Sequence, residues 1–127
     1  MRPAAFDAFC RSLPAATHVN QWGGSEVYKV GGKIFAIAAA FGSDRGQDAG
    51  PAYTFKASDM AYELLIEQGL ARPAPYLARA KWVQLVAQDA LGEGDLKAYL
   101  TEAHRLVARR LTRASRRSLG LDELMKK

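Results

Sequence analysis

Four arginines near the end of the chain have the side chains and the spacing that suit phosphate binding: Arg105, Arg109, Arg113 and Arg116. Steps of three or four residues place them in one row along a helix. A guanidinium can make two parallel hydrogen bonds to a phosphate group, and several cations together neutralise the backbone of duplex DNA. The row therefore predicts a surface that binds double-stranded DNA.

The positive charge of the chain is concentrated around this row. Residues 97–127 carry 9 basic and 3 acidic side chains, a net charge of +6. Residues 1–96 carry 9 basic and 10 acidic side chains, a net charge of −1. Such an imbalance is a hint of an anionic partner, although it is also a common aid to solubility.

Two lysines flank a predicted hairpin turn in the first half of the chain. Lys29 and Lys33 stand on either side of Gly31-Gly32, a pair that can adopt the positive φ angles of a tight two-residue turn. The segments 27–30 and 34–37 are rich in β-branched and aromatic residues, which is typical of paired strands. Because the tip of a β-ribbon can follow a groove of DNA, both lysines are predicted to contact it.

A third basic group is interleaved with aromatic residues. Arg79 and Lys81 precede Trp82, and Tyr76 lies a few residues earlier. Basic and aromatic side chains in alternation are a feature of nucleic-acid-binding surfaces. A single tryptophan is nevertheless more often a core anchor than a stacking surface, so Trp82 itself is assigned to the core.

The basic helix has a second explanation, in which its charges are only solvated. An apolar stripe shares the helix with the arginines at helical spacing: Leu96, Leu100, Ala103, Val107, Leu111 and Ala114. A helix that packs one face needs a polar opposite face, and cations near its C-terminus complement the helix dipole. The alternative function is therefore a protein-interaction or small-ligand-binding domain.

Residues for metal binding and covalent catalysis are sparse. His18 and His104 are the only histidines and lie far apart in sequence, while the single cysteine, Cys10, belongs to an apolar helical stripe. The sequence contains no zinc-ligand spacing, no GxSxG motif and no phosphate-binding glycine loop. We therefore predict a non-enzymatic protein without a metal, a cofactor or catalytic residues.

The periodicity of apolar residues predicts an α+β fold in which a central hairpin belongs to an antiparallel sheet. The predicted helices are an N-terminal one at 3–13, a middle one capped by Ser58 and ended by Gly69, and a long C-terminal one from Leu96 to Gly120 with Gly94 or Asp95 as its cap. Strands are predicted at 15–22, 27–30, 33–41, 51–56 and 81–86, with a turn-rich loop at 42–51.

A chain of 127 residues is long enough for one domain with its own core, which we place at residues 1–118, followed by a frayed tail at 119–127. The longest apolar run, residues 34–41, is far shorter than the roughly 20 residues of a membrane-spanning helix, so no membrane partner is predicted. A single cysteine and the lack of a signal-peptide segment predict a cytoplasmic protein.

Several segments together resemble the MmcQ/YjbR family. They are residues 9–14 (FCRSLP), 27–36 (VYKVGGKIFA), Phe55-Lys56, the proline-containing approach to Tyr76, Lys81-Trp82-Val83, and Leu106-Val107 with the basic residues after Leu111. The resemblance spans roughly residues 5–117. It implies a CyaY-like fold and a small bacterial DNA-binding protein with a double-wing arrangement.

The sequence departs from the family pattern after Tyr76. Many members have a histidine and an asparagine there, whereas this chain has Leu77-Ala78-Arg79-Ala80. A function that depends on those two polar side chains is therefore absent or altered here. The CyaY-like fold does not imply iron binding either, because the first helix offers only Asp7 in place of an acidic ridge.

Overall fold

The computed structural model describes residues 1–21, 23–40, 51–75, 77 and 80–121. The protein folds into a six-stranded antiparallel sheet packed against helices. Along the chain the elements are α1 (Pro3–Ser12), β1 (Ala16–Gln21), β2 (Ser25–Val30), β3 (Lys33–Ala39), β4 (Ala52–Lys56), α2 (Asp59–Glu67), β5 (Ala71–Pro73), β6 (Trp82–Leu85), α3 (Glu93–Ala108) and α4 (Arg113–Ser118). The strands are ordered β1-β2-β3-β4-β6-β5, and all neighbours are antiparallel. The predicted α+β class is confirmed.

Side chains alternate between the two faces of the sheet and form two apolar layers. The first layer joins the sheet to α1, α2 and α3, and its members include Phe6, Tyr28, Phe35, Phe55, Leu65 and Leu100. The second layer lies on the other face and includes Val27, Ile37, Ala39, Ala52, Ala74 and Trp82. Trp82 is 7% exposed, so it is a core anchor as predicted.

The first two helices begin and end where the sequence indicates. Cys10 is fully buried on the inner face of α1. The Ser58 hydroxyl accepts a hydrogen bond of 3.1 Å from the Ala61 N–H at the start of α2. Gly69 follows the end of α2 with a φ of +74°, the left-handed conformation that glycine adopts without steric cost.

The third helix begins earlier than predicted. Its cap is Gly92, whose carbonyl accepts from the Leu96 N–H at 2.9 Å, so Gly94 and Asp95 both lie inside the first turn. The prediction of Gly94 or Asp95 as the cap is therefore wrong. Glu93 and Asp95 stabilise this early start because their carboxylates face the positive end of the helix dipole.

The central hairpin is formed by β2 and β3, and both turn glycines have positive φ, +58° at Gly31 and +81° at Gly32. Gly31 serves a second purpose, because it faces the side chain of Leu111. A Cβ atom at Gly31 would lie 2.6 Å from Leu111 Cδ1, whereas one at Gly32 would meet nothing within 4 Å. The hairpin turn and Leu111 therefore pack at a distance that only glycine permits.

The predicted long C-terminal helix is divided at this contact. Its first part, α3, ends at Ala108, and α4 begins after Thr112, whose hydroxyl accepts from the Ser115 N–H at 3.1 Å. Between them Leu111 is only 7% exposed. A straight helix would carry Leu111 along the α3 axis, so the chain bends to bury it beside Gly31. The prediction of one continuous helix to Gly120 is wrong for this reason.

Parts of the sequence-based interpretation lie outside the described residues. They are Trp22 at the end of the first predicted strand, nearly all of the predicted loop at 42–51, Tyr76, Arg79 and residues 122–127 of the predicted tail. Within the described part of that tail, Leu121 is fully buried and its N–H donates to the Arg116 carbonyl at 2.8 Å.

We expect the two turn glycines to differ in their tolerance of a methyl group. Gly32→Ala should lower the free energy of unfolding by about 1–2 kcal/mol, the cost of left-handed backbone in alanine. Gly31→Ala should lower it by about 1 kcal/mol more, because Leu111 must also move. Urea denaturation of both variants measures the difference. In a Leu111→Ala background the extra cost should disappear, and an undiminished extra cost would contradict the proposed contact.

Candidate functional site

The packing of Gly31 against Leu111 brings basic residues from two distant parts of the chain together. Lys33 lies two residues after Gly31, and Arg109 and Arg110 lie just before Leu111; all three are exposed. Arg113, also exposed, is the first residue of α4. The hairpin turn and the α3–α4 bend therefore share one part of the surface.

Two lysines at the ends of the neighbouring strands β4 and β6 extend this surface. Lys56 ends β4, and its ammonium donates hydrogen bonds to the Ala57 carbonyl at 3.4 Å and to the Ala80 carbonyl. Burial lowers the pKa of Lys56, the positive charges of Arg110 and Lys81 lower it further, and Asp59 opposes the effect. The crowding of these three cations links the lysines to the α3–α4 bend.

Lys81 is held in an unusual backbone conformation at this place. Its φ of +64° is left-handed, which costs a residue with a Cβ of order 1 kcal/mol. The surroundings maintain it: the Lys81 carbonyl accepts from the Ala57 N–H at 3.0 Å, and its ammonium stands 4.8 Å from the centre of the Tyr62 ring. The position of the Lys81 charge is therefore fixed by several contacts.

We call the exposed and half-buried cations in this region the basic corner: Lys33, Lys56, Lys81, Arg109, Arg110 and Arg113. Within the described residues, no salt bridge joins any of the six to a carboxylate. Their positive charges are therefore not cancelled by close ion pairs in that part of the chain.

The other predicted site residues lie outside the basic corner. Lys29 stands opposite Ile34, which packs on the second apolar layer, so Lys29 points to the face of the sheet away from the helices. Arg105 is half-buried in the last turn of α3, 3.9 Å from Glu102. Arg116 donates to the Arg109 carbonyl at 3.3 Å across the bend. Arg79 lies outside the described residues.

Two members of the basic corner, Lys56 and Arg110, were not among the predicted site residues. Arg110 appears in the sequence to flank the apolar stripe, and the bend after Ala108 is what places it near Lys56. Lys56 carries no local signal, because a lysine at the end of a strand is ordinarily a solvated charge. Only the proximity of Arg110 and Lys81 distinguishes it.

A second polar cluster lies beside a cavity of about 540 Å³ near α1 and β2. The buried Tyr28 donates a hydrogen bond of 2.7 Å to Asp7 Oδ1, and Arg11 Nε donates to both Asp7 oxygens at 2.9 Å. Desolvation raises the pKa of Asp7, but the hydrogen bonds from Tyr28 and Arg11 outweigh it, so this pKa lies below its usual range.

The neighbouring carboxylate of Glu26 is bonded within the same cluster. It accepts from Asn20 Nδ2 at 2.9 Å and pairs with the His18 ring. The hydrogen bonds from Asn20 and His18 lower the pKa of Glu26. Both carboxylates are thus occupied by side chains of the protein, which is the arrangement of a structural network.

Comparison with known proteins identifies the fold and the family. A model of the YjbR family matches residues 11–106. The chain belongs to the YjbR family. The crystal structure of Deinococcus radiodurans protein DR2400, which carries domain DUF419, is similar with a TM-score of 0.76. The match covers 94% of this chain and 88% of that one at 22% identity, a likeness that extends to the fold alone. No curated protein matches the sequence.

In this YjbR-family chain the cysteine and the histidines contribute to packing. Burial raises the pKa of Cys10, which keeps the thiol protonated. His104 is buried, bonds through Nε2 to the Pro14 carbonyl at 2.7 Å and meets the Phe35 ring edge-on; burial lowers its pKa although the Pro14 bond opposes this. Among the described residues no metal-binding group of three or more such side chains occurs.

The membrane prediction can be compared with the helices. None of those in the described part of the chain combines the length and the apolar composition that crossing a bilayer requires.

The hydrogen bonds around Asp7 make the stability of this protein depend on pH in a predictable way. Since the pKa of Asp7 is lowered in the folded state, its stabilising contribution is present above the ordinary value of 3.8 and is lost as the pH falls through the folded-state value. Asp7→Asn should therefore lower the free energy of unfolding by about 1 kcal/mol at pH 7. This difference from the unmodified protein should shrink below pH 4, as measured by urea denaturation.

Glu63→Gln is the matched control for this experiment, because Glu63 is exposed on α2. It should leave stability unchanged at each pH. A difference for Asp7→Asn that stays constant from pH 7 to pH 3 would mean that the charge of Asp7 contributes nothing.

Proposed function

We propose that this chain is a non-enzymatic DNA-binding module that contacts the phosphate backbone through the basic corner. The observation that carries the proposal is the joining of the hairpin turn to the α3–α4 bend by the Gly31–Leu111 contact, with Lys56, Lys81 and Arg110 crowded beside it. Two segments far apart in sequence thereby contribute cations to one region.

The electrostatics favour an anionic partner. Burial is the main cause of the lowered pKa of Lys56, and the positive charges of Arg110 and Lys81 lower it further because like charges held near one another raise each other's free energy. Phosphate oxygens placed between these cations would remove the repulsion and would release counterions from the DNA. Exposed arginines at 109, 110 and 113 are suited to bidentate phosphate contacts.

The same geometry supports binding with little sequence preference. Recognition helices read base edges from inside the major groove, but α4 has only 6 residues, so the basic corner is better suited to phosphate contacts. Contacts of this kind position a protein on DNA without reading its sequence. We therefore propose that the module recognises duplex DNA as a charged surface.

The polar cluster around Asp7 fits the non-enzymatic part of the proposal. A general acid or base must have a proton or a lone pair available to a substrate. The carboxylates of Asp7 and Glu26 instead accept hydrogen bonds from Tyr28, Arg11 and Asn20. The cluster is better suited to fixing α1 against β2.

DNA binding should depend on the basic corner more than on the net charge. The test variant replaces Lys33, Arg109 and Arg113 by Gln, and the control variant replaces Arg2, Lys29 and Lys97 by Gln. Each loses three positive charges, but the control residues lie elsewhere: Lys29 is on the opposite sheet face, and Lys97 precedes Arg109 by twelve residues, about 18 Å along a helix.

Fluorescence anisotropy with a labelled duplex, measured from 50 to 200 mM salt, compares the two variants. If each mutated residue meets one phosphate, the slope of log affinity against log salt should decrease by about 2.7 in the test variant. Affinity at the lowest salt should fall at least about tenfold there and much less in the control. Equal losses of affinity in both variants would show that binding depends on net charge and not on the basic corner. Absence of binding by the folded unmodified protein at 50 mM salt would refute the proposal.

A further inference from the structure

We propose that the groove between α2 and α3 binds a small amphipathic anion, namely a carboxylic acid with an aromatic or branched apolar body. The carboxylate would pair with the ammonium of Lys56, and the apolar body would cover Leu65, Leu91 and Tyr99. The proposal concerns a small molecule and does not depend on DNA binding, although Lys56 also belongs to the basic corner.

The groove has the size and lining of a small-molecule site. Its volume is about 530 Å³, within the roughly 300–1,000 Å³ of typical ligand pockets. One wall comes from the segment between Lys56 and Leu70, which includes α2, and the other from Leu91 and the outer side of α3. The apolar part of the lining consists of Ala57, Ala61, Leu65, Leu70, Leu91, Ala98 and Tyr99.

The apolar lining is continuous with the first core layer. Leu65 and Leu91 belong to that layer, and Leu70 and Tyr99 pack against it while remaining partly exposed. The Tyr99 ring is fixed by stacking on Phe55, with the ring centres 6.0 Å apart. A rigid aromatic surface beside leucines suits a flat or branched apolar group, because little side-chain freedom is lost on binding.

Lys56 supplies the polar end of the groove. Two of its three N–H groups donate to the carbonyls of Ala57 and Ala80, and the third has no acceptor among the described residues. Lys56 is half-buried, and the charged neighbours of its ammonium are Arg110, Lys81 and Asp59, so positive charge prevails around it. A carboxylate oxygen would complete the hydrogen bonds of Lys56 and offset this excess.

The acidic residues of the groove favour a cation less strongly. Asp95 is exposed, and Glu102, which is partly buried like Lys56, lies 3.9 Å from Arg105, whose charge offsets its own. Charges in water attract a ligand weakly because solvent screens them, whereas a fixed and partly desolvated charge attracts it more strongly. The charge of Lys56, with the cations Arg110 and Lys81 near it, therefore decides the sign of the ligand.

Three probes of nearly equal shape test whether the groove prefers an anionic, a neutral or a cationic ligand: 4-phenylbutyrate, 4-phenylbutanol and 4-phenylbutylamine. Isothermal titration calorimetry at pH 7 with the full chain should rank the butyrate tightest, with the alcohol at least about fivefold weaker. Amide NMR shifts on adding the butyrate should cluster at Leu65, Leu91 and Tyr99. Equal affinities of the three probes would contradict an anion site, and tightest binding of the amine would indicate a cation site. Amide shifts confined to the cavity beside Asp7 would show that the butyrate binds elsewhere.

Substitutions in the protein complete the test. Lys56→Met should weaken butyrate binding about tenfold and leave the alcohol unchanged, because only the charge pairing is lost. Lys29→Met is the matched control, since Lys29 is also half-buried but does not line the groove. If Lys56→Met fails to fold, Ala98→Trp decides, because Ala98 is exposed and lines the groove. Blocked butyrate binding in Ala98→Trp supports the site, and unchanged binding overturns it.

Discussion

The close packing of Leu111 against the hairpin turn is the contact on which the rest of the surface depends. Gly31 permits it by having no Cβ, and the chain between Ala108 and Thr112 bends to deliver Leu111 to that point. Burial of a leucine side chain stabilises a fold by roughly 2 kcal/mol. This gain offsets the helical hydrogen bonds lost at the bend. Two of them are replaced by bonds to the third residue back, from the Arg110 N–H to the Val107 carbonyl at 3.0 Å and from the Leu111 N–H to the Ala108 carbonyl at 3.1 Å.

Features encoded within a few residues could be predicted from the sequence. The Gly31-Gly32 turn, the Ser58 cap and the Gly69 stop each follow from a local steric or hydrogen-bonding preference, and the structure has all three. The bend after α3 could not be predicted in this way. Its cause is a contact between Leu111 and a turn eighty residues earlier, and neither glycine nor proline marks the place. A periodic apolar stripe that passes through position 111 favours a straight helix when that partner is unknown.

The candidate site was predictable only where its residues carry a local signal in the sequence. Lys33, Lys81, Arg109 and Arg113 are recognisable as cations near a turn, an aromatic residue or a helix end. Lys29 and Lys33 look equivalent in the sequence, but the two-residue turn pairs Val30 with Lys33 and Lys29 with Ile34, so side-chain alternation places Lys29 and Lys33 on opposite faces. Lys56 has no local signal at all. What distinguishes it is desolvation and the proximity of Arg110 and Lys81, which exist only in the folded chain.

The family match divides the basic corner into two parts. Residues 11–106 include the hairpin, Lys56 and Lys81, whereas Arg109, Arg110 and Arg113 lie beyond the match. The match therefore covers the strands on or next to which these lysines lie and ends before the arginines. Because Leu111 is what fixes those arginines against the hairpin, the strength of the combined positive surface depends on one apolar contact rather than on the shared fold. A chain with the same sheet and a different segment after α3 would lack the arginine half of the corner.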